Sequence, residues 1–188
     1  GSKEGLPASD IIKVVRFNEK LYAATRTKGL FVFDGDRFSK SSIIKGEDIQ
    51  TMNILGDNLF ISTNLENIFY DGSKVSFIKG FPNIKISDVY FLDDKEWFVS
   101  GSKIITKEKR AYKTELVAFP ESKTNITSFL FSNGTEYFGT NNGFFSRDQN
   151  KKLKMISSKN IVSISMLKTN DIILGTKQGA YLFEKGSI

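Results

Sequence analysis

Short apolar runs of strand length, patterned with a period of two and separated by polar turns, fill the chain from end to end. The clearest instance is Leu21-Tyr22-Ala23-Ala24-Thr25-Arg26-Thr27-Lys28-Gly29-Leu30-Phe31-Val32-Phe33-Asp34-Gly35, a strand, a tight loop, a second strand and an Asp-Gly turn. The chain writes this unit five times. The Thr or Ser that closes its first strand recurs as Thr25, Thr63, Ser100, Thr140 and Thr176, in steps of 38, 37, 40 and 36 residues. Three positions before each stands a large side chain: Tyr22, Phe60, Trp97, Tyr137, Ile173. Upstream, Ile11, Ile49, Ile86, Ile126 and Ile161 each open a further strand, 14 residues ahead of the marker in four copies and 15 in the last. A Gly-hydrophobic pair or its variant follows: Gly29-Leu30, Asn67-Ile68, Lys103-Ile104, Gly143-Phe144, Gly179-Ala180.

Three markers in register over a period near 38 residues describe four short strands per repeat, the size of a propeller blade. The expected fold is therefore all-β, a five-bladed β-propeller occupying 1–188 as one domain. Residues 1–10 form an entry loop, Gly1-Ser2 reading as a cloning remnant, and the blades cover about 11–46, 47–84, 85–123, 124–159 and 160–188.

The strands fall near 11–17, 20–25, 29–34 and 37–43; then 49–55, 58–63, 67–71 and 74–78; then 86–92, 96–100, 103–107 and 112–118; then 126–132, 136–140, 143–147 and 152–157; and last 161–167, 171–176 and 179–184. Hairpin turns are expected at Asn18-Glu19, Gly56-Asp57 and Asn133-Gly134, and at Asp34-Gly35-Asp36 and Asp71-Gly72. The third repeat lacks the glycine before Ile104 and carries a basic turn, Lys107-Glu108-Lys109-Arg110. Aligning Phe183-Glu184 on Phe33-Asp34 puts Ile188 where the fourth strand of the first repeat is beginning, so the last blade is expected to be three-stranded. Closure of the five blades into a ring follows as an expectation, because an open arc exposes two apolar faces.

The repeat resembles the two-component regulator propeller repeat. The resemblance rests on Glu4-Gly5-Leu6-Pro7, the Ile11 strand, Tyr22-Ala23-Ala24-Thr25, Gly29-Leu30 and Asp34-Gly35, with Thr140 and Gly175-Thr176 supplying the Gly-Thr step and Trp97 the tryptophan of the pattern. That family is known in periplasmic sensor regions of hybrid histidine kinases and in other bacterial surface proteins. The resemblance implies a non-catalytic propeller of a bacterial envelope receptor, periplasmic or at the cell surface, sensing a ligand or a protein. Alternatives are a scaffold mediating protein contacts in a surface or secretion assembly, and a glycan-active enzyme. The implied partners are an oligosaccharide or another envelope protein, with the chain a monomer or a weak homodimer.

Composition narrows the chemistry. Cysteine and histidine are both absent, which removes disulfides, thiol nucleophiles, the usual general base and the commonest metal ligands. No cofactor or metal site is expected. The formal charge of +6 is spread over all five repeats without a basic block, which argues against nucleic acid. No run approaches the ~18 apolar residues of a membrane helix, so membrane attachment would come only through segments outside this sequence. A glycosidase needs two facing carboxylates. Asp10, Asp48, Asp88 and Glu121 are the candidates, but Asp10 and Asp48 share a pre-strand slot with Asn125 and Asn160, which reads as a turn position. Asn125-Ile126-Thr127 and Asn133-Gly134-Thr135 match the glycosylation acceptor pattern but also fall on a strand start and a turn.

The loop joining second and third strands is polar in every repeat. Its residues Arg26, Lys28, Asn64, Asn141, Asn142, Lys177 and Gln178 are the expected ligand-binding set, and the cations among them favour an acidic or sulfated sugar. A second polar series, Lys13, Thr51, Asp88, Ser128 and Ser163, lies two positions into each inner strand and is expected to share one environment.

Overall fold

The computed structural model describes residues 4–7, 10–77, 80–82, 84–109 and 111–184. Among the described residues nineteen strands form five antiparallel sheets. Sheet 1 contains β1 (Ile11–Phe17), β2 (Lys20–Thr25), β3 (Leu30–Phe33) and β4 (Phe38–Lys40). Sheet 2 contains β5 (Ile49–Leu55), β6 (Asn58–Thr63), β7 (Asn67–Tyr70) and β8 (Val75–Phe77). Sheet 3 contains β9 (Asp88–Leu92), β10 (Lys95–Ser100), β11 (Lys103–Glu108) and β12 (Ala111–Leu116). Sheet 4 contains β13 (Ile126–Ser132), β14 (Thr135–Thr140), β15 (Gly143–Arg147) and β16 (Leu153–Ser157). Sheet 5 has three strands, β17 (Ser163–Met166), β18 (Ile172–Thr176) and β19 (Gly179–Phe183). In every sheet the strands neighbour one another in chain order, and no α-helix occurs among the described residues. The expected strand end at Ile78, Arg110 of the basic turn and the position of Ile188 lie outside the described residues.

The chain packs as two compact units, one comprising Gly1–Val89 with Lys109–Tyr112, the other Tyr90–Glu108 with Lys113–Ile188. In the first, sheets 1 and 2 bury Phe17, Tyr22, Ala24 and Leu30 against Ile49, Met52, Leu59, Ile61 and Ile68. Phe17, Tyr22 and Tyr70 meet as a triangle of rings with centroids 6.3–6.4 Å apart, where aromatic pairs gain from tilted contact. In the second, Trp97, Val99 and Ile104 pack on Ile126, Phe129, Phe138 and Phe145. The other face of sheet 4 places Leu130 and Phe144 against Ile161, Ile172 and Leu174 of the last repeat.

The inner-strand isoleucines Ile49, Ile86, Ile126 and Ile161 are all buried as the repeat implies, whereas Ile11 is 44 % exposed. Ile86 and Ile161 stand two residues ahead of their strands, so the shared feature is the plug they form, not membership of the ladder. The polar series does not share one environment: Thr51 and Ser128 are buried, Lys13 and Asp88 half-buried, and Ser163 exposed. In sheets 1, 2 and 4 a register shift between the isoleucine and the residue two further on interrupts the pairing at Ile11/Lys13, Ile49/Thr51 and Ile126/Ser128, whereas β17 carries Ser163 without one, so the copies do not share one local geometry.

The turns follow their residues. Asn18-Glu19, Asp93-Asp94 and Asn133-Gly134 hold left-handed φ at both central positions, the geometry whose twist suits a two-residue hairpin. In the Asp71-Gly72 turn the carboxylate accepts the backbone N–H groups of Lys74 and Ser73 and the Ser73 hydroxyl, which together draw its pKa from 3.8 down to about 2.

Two expectations follow. Gly139 faces the plug: a Cβ there would lie 2.6 Å from Cγ2 of Ile161. Ile161→Ala should cost about 2–5 kcal/mol in urea unfolding and Gly139→Ala about 1–3 kcal/mol by overpacking. The double variant should lose less than the sum, because trimming Ile161 makes room for the new methyl; strict additivity would mean that these residues do not pack as described. For Asp71, the folded pKa lies below the unfolded one, so its contribution to stability is complete above about pH 3.8 and disappears as pH falls toward 2. Carboxyl NMR titration should find the Asp71 midpoint near 2; a midpoint at the usual aspartate value would rule out the turn geometry.

Candidate functional site

The loop between second and third strands is built by a hydroxyl. Thr25 Oγ1 donates to the Gly29 carbonyl (2.7 Å) and accepts from Lys28 N–H (3.0 Å). Thr63 Oγ1 donates to the Glu66 carbonyl and accepts from the N–H groups of Leu65 and Glu66. Thr140 and Thr176 repeat the pattern on Gly143 and Gly179, with Asn142 and Gln178 as donors. Sheet 3 replaces the device with Gly101-Ser102, where Gly101 takes φ +60°.

Those loops divide the expected binding residues into two kinds. In the first unit, Arg26, Lys28 and Asn64 are exposed. Their main chain is anchored, Arg26 N–H on the Asp10 carbonyl (2.9 Å) and Asn64 N–H on the Asp48 carbonyl (3.0 Å). Acids stand nearby: Glu47 pairs with Lys40, which lowers its pKa, with a smaller contribution from Lys28. In the second unit, Lys177 and Gln178 are exposed, but both asparagines of sheet 4 are committed internally. Asn141 Oδ1 accepts from Asn125 N–H at 2.7 Å and its Nδ2 donates to the Lys123 carbonyl, while Asn142 Nδ2 donates to Thr124 Oγ1 at 2.9 Å. They hold the 123–125 turn in place.

Of the four carboxylates weighed for glycosidase chemistry, Glu121 is exposed and the other three are engaged. Asp10 accepts from the Thr27 hydroxyl (2.9 Å), Asp48 from Gln50 (3.0 Å), and Asp88 from Val89 N–H (2.8 Å) with Thr51 at 3.4 Å. Among the described residues no group of three Asp or Glu side chains is placed to hold a metal ion.

Three clefts lie elsewhere. One, in the first unit, is bordered by Arg16, Lys20, Phe33 and Asp34. Two lie in the second unit: one between Asn133 and Asn170 beside Tyr137 and Phe183, the other around Trp97, Ile104, Lys113 and Glu136. In sheet 1 the register places the residues of the first cleft toward the end opposite the threonine loop: Arg16 pairs with Leu21 and Leu21 with Phe33, while Thr25 pairs with Ile11. None of the seven expected binding residues lines them.

Sequence reasoning missed a buried ion pair beside the last of these clefts. Arg147 bonds Glu136 across the β14–β15 ladder, with 5 % and 6 % of the two side chains exposed. Arg147 Nη1 also reaches Glu115 Oε1 at 2.5 Å, and Lys151 Nζ lies 3.3 Å from Glu115 and 3.4 Å from Glu136. The same cross-strand position is apolar in three other sheets: Leu21–Phe33, Leu59–Tyr70 and Ile172–Phe183. In sheet 3 it is again charged, Glu96 with Lys107 at 3.8 Å. That contrast between copies was the signal available in the sequence.

Five sheets of three or four consecutive antiparallel strands, packed face to face within each unit, define a β-propeller. Solved structures share this fold across nearly the whole chain. The extracellular domain of the hybrid two-component system BT4673 from B. thetaiotaomicron matches with TM-score 0.75 and 20 % identity over 95 % of this chain and 26 % of that one. The corresponding domain of BT3049 from the same organism matches with TM-score 0.71 and 16 % identity, covering 98 % of this chain and 29 % of that one. An ancestral GH74 enzyme matches with TM-score 0.68 and 13 % identity over 89 % and 27 % of the two chains. The chain thus spans between a quarter and a third of the length of these structures. Neither a protein-family model nor a curated protein sequence matches it.

Replacing one partner of the buried pair should be costly, replacing both should not. Arg147→Met leaves Glu136 buried opposite an apolar group and should destabilise by about 3–5 kcal/mol in denaturant unfolding. Glu136→Leu with Arg147→Phe copies the pair of sheet 1 and should restore stability to within about 1 kcal/mol of the parent or exceed it. A double variant as unstable as the single one would show that the pair is essential to the fold.

Proposed function

We propose that this chain is part of a non-catalytic propeller of a bacterial envelope receptor, lying outside the cytoplasmic membrane and sensing a ligand or a protein. The observation that carries the reading is the agreement of backbone over 95 % of the chain with the extracellular domain of a hybrid two-component system, on a sequence whose repeat independently resembles the two-component regulator propeller. Three of the four candidate carboxylates, Asp10, Asp48 and Asp88, accept hydrogen bonds from their own surroundings, which favours binding over hydrolysis.

The ligand class that suits the threonine loops is an acidic or sulfated oligosaccharide. Arg26 and Lys28 of the first unit and Lys177 of the second are exposed cations on anchored backbone, and guanidinium suits carboxylate and sulfate through paired N–H donors. Asn64 and Gln178 offer amides for hydroxyl groups, whereas Asn141 and Asn142 serve their own loop.

A screen of the purified chain against neutral and acidic oligosaccharides tests this. Acidic members should bind, and Arg26→Ala should weaken binding at the loop of the first unit, and Lys177→Ala binding at the loop of the second, by about tenfold or more, the loss of a charge-assisted hydrogen bond. Asn142→Ala should act through stability alone. Binding that survives both cation substitutions would place the site elsewhere.

A further inference from the structure

The residue that ends the first strand is apolar in four sheets, Phe17, Leu55, Leu92 and Met166, and a serine, Ser132, in sheet 4. The register makes Phe17 and Ser132 directly comparable: Phe17 pairs with Lys20 across a two-residue turn, as Ser132 does with Thr135.

Their surroundings also correspond. Tyr22 and Tyr70 of the first unit occupy the places that Tyr137 and Phe183 hold in the second, and the ring centroids are 6.4 Å apart in both pairs. In the first unit Phe17 adds a third ring 6.3 Å from each partner, and Tyr22 is left 3 % exposed. In the second, Phe144 packs on the pair from the side of the threonine loop, where it opposes Gly139. The side of the hairpin turn falls to Ser132, and there a cleft of about 150 Å³ opens between Tyr137, Ile172 and Phe183. Tyr137 is accordingly only half-buried. A small residue in place of a buried Phe forfeits packing, so stability gives no reason for the serine.

We propose that this cleft of the second unit is a binding site for a small uncharged aromatic compound bearing a hydroxyl, a phenol or an aromatic alcohol. Its ring would take the place that Phe17 fills beside Tyr22 and Tyr70. The size agrees, since a cavity of ~150 Å³ accommodates a benzene ring. The walls agree as well, because a ring gains from tilted or edge contact with two others. The polar groups decide the rest. Asn133, Thr135 and Asn170 border the cleft with Ser132, and among the described residues no charged side chain lines it. A carboxylate or ammonium would therefore lose hydration there with no counter-charge to replace it. In the first unit Asn18, in the turn position of Asn133, donates its amide to the Asp71 carbonyl at 3.2 Å. Asn133 and Asn170 have no such partner among the described residues, so their amides are open to a ligand hydroxyl.

This site is separate from the threonine loops and is tested without them. p-Cresol, benzoate and glucose are titrated into the isotope-labelled chain and followed by saturation-transfer and amide-shift NMR. p-Cresol should bind saturably with a millimolar dissociation constant, its shifts centred on Ser132, Asn133 and Phe183. Benzoate and glucose should bind about tenfold more weakly or worse. Ser132→Phe rebuilds the arrangement of the first unit and should abolish p-cresol binding. Phe183→Leu keeps an apolar side chain of similar size and should weaken binding about fivefold or more through the lost aromatic contact; it decides the matter where Ser132→Phe does not fold. The proposal is overturned if p-cresol shows no saturation by about 10 mM, if benzoate or glucose binds equally, if the shifts lie outside the cleft, or if binding is undiminished in either variant.

Discussion

In four of the five sheets one threonine hydroxyl closes the loop around which the rest of the repeat is arranged. In four of five sheets a threonine at the end of the second strand donates to a carbonyl three or four residues on and accepts an N–H from inside the loop. Closing the loop in this way frees its backbone to bond outward. Gly29 N–H reaches the Glu47 carbonyl at the entry to sheet 2; Ile126 N–H reaches Gly101, and Ile161 N–H reaches Thr140. Each of these bonds ties one sheet to the start of the next. The threonine hydroxyl sets the turn within a sheet, and the backbone of that loop links the sheet to the start of the next, bringing Ile126 and Ile161 to their buried positions. Sheet 3 shows what is essential: it has no such threonine, yet its two-residue Gly101-Ser102 loop still presents a carbonyl to Ile126.

Because these devices are local, the sequence displays them. β1, β2, β5, β6, β13 and β15 begin and end where the pattern of apolar runs and turns places them. The constant interval between isoleucine and threonine is now intelligible: Ile11 pairs with Thr25, Ile49 with Thr63 and Ile126 with Thr140, so the interval is the length of one hairpin. What escaped notice depended on partners distant along the chain. The amide groups of Asn141 and Asn142 look available in an exposed loop, and only folding brings Lys123, Thr124 and Asn125 to them. The polar series at Lys13, Thr51, Asp88, Ser128 and Ser163 is not a ring of equals, since a register shift stands beside Lys13, Thr51 and Ser128 but not beside Ser163, a difference between copies that strict alternation cannot show.

The buried pair Glu136–Arg147 was hidden for another reason. A glutamate beside an aromatic residue reads as the solvent face of a strand, and alternation supports that. Comparison between copies reverses the reading, since the slot is apolar in sheets 1, 2 and 5 and Leu59 and Ile172 are buried there, although Leu21 is 37 % exposed. In a repeat protein the copies serve as one another's controls: a residue type found in all of them is explained by architecture, and one confined to neighbouring copies is not.

The same reasoning ranks the two ends of the sheets. At the threonine loops the cations are long, exposed side chains, and holding one in a single rotamer costs up to about 2 kcal/mol before any contact is gained. At the opposite end of sheets 3 and 4 the guanidinium of Arg147 is already ordered by Glu115 and Glu136, and it lies 5.4 Å from the Phe138 ring. That ordering was completed during folding, so the Arg147 network is a fixed part of sheets 3 and 4, whereas any group that engages the cations of the threonine loops must order them as it binds.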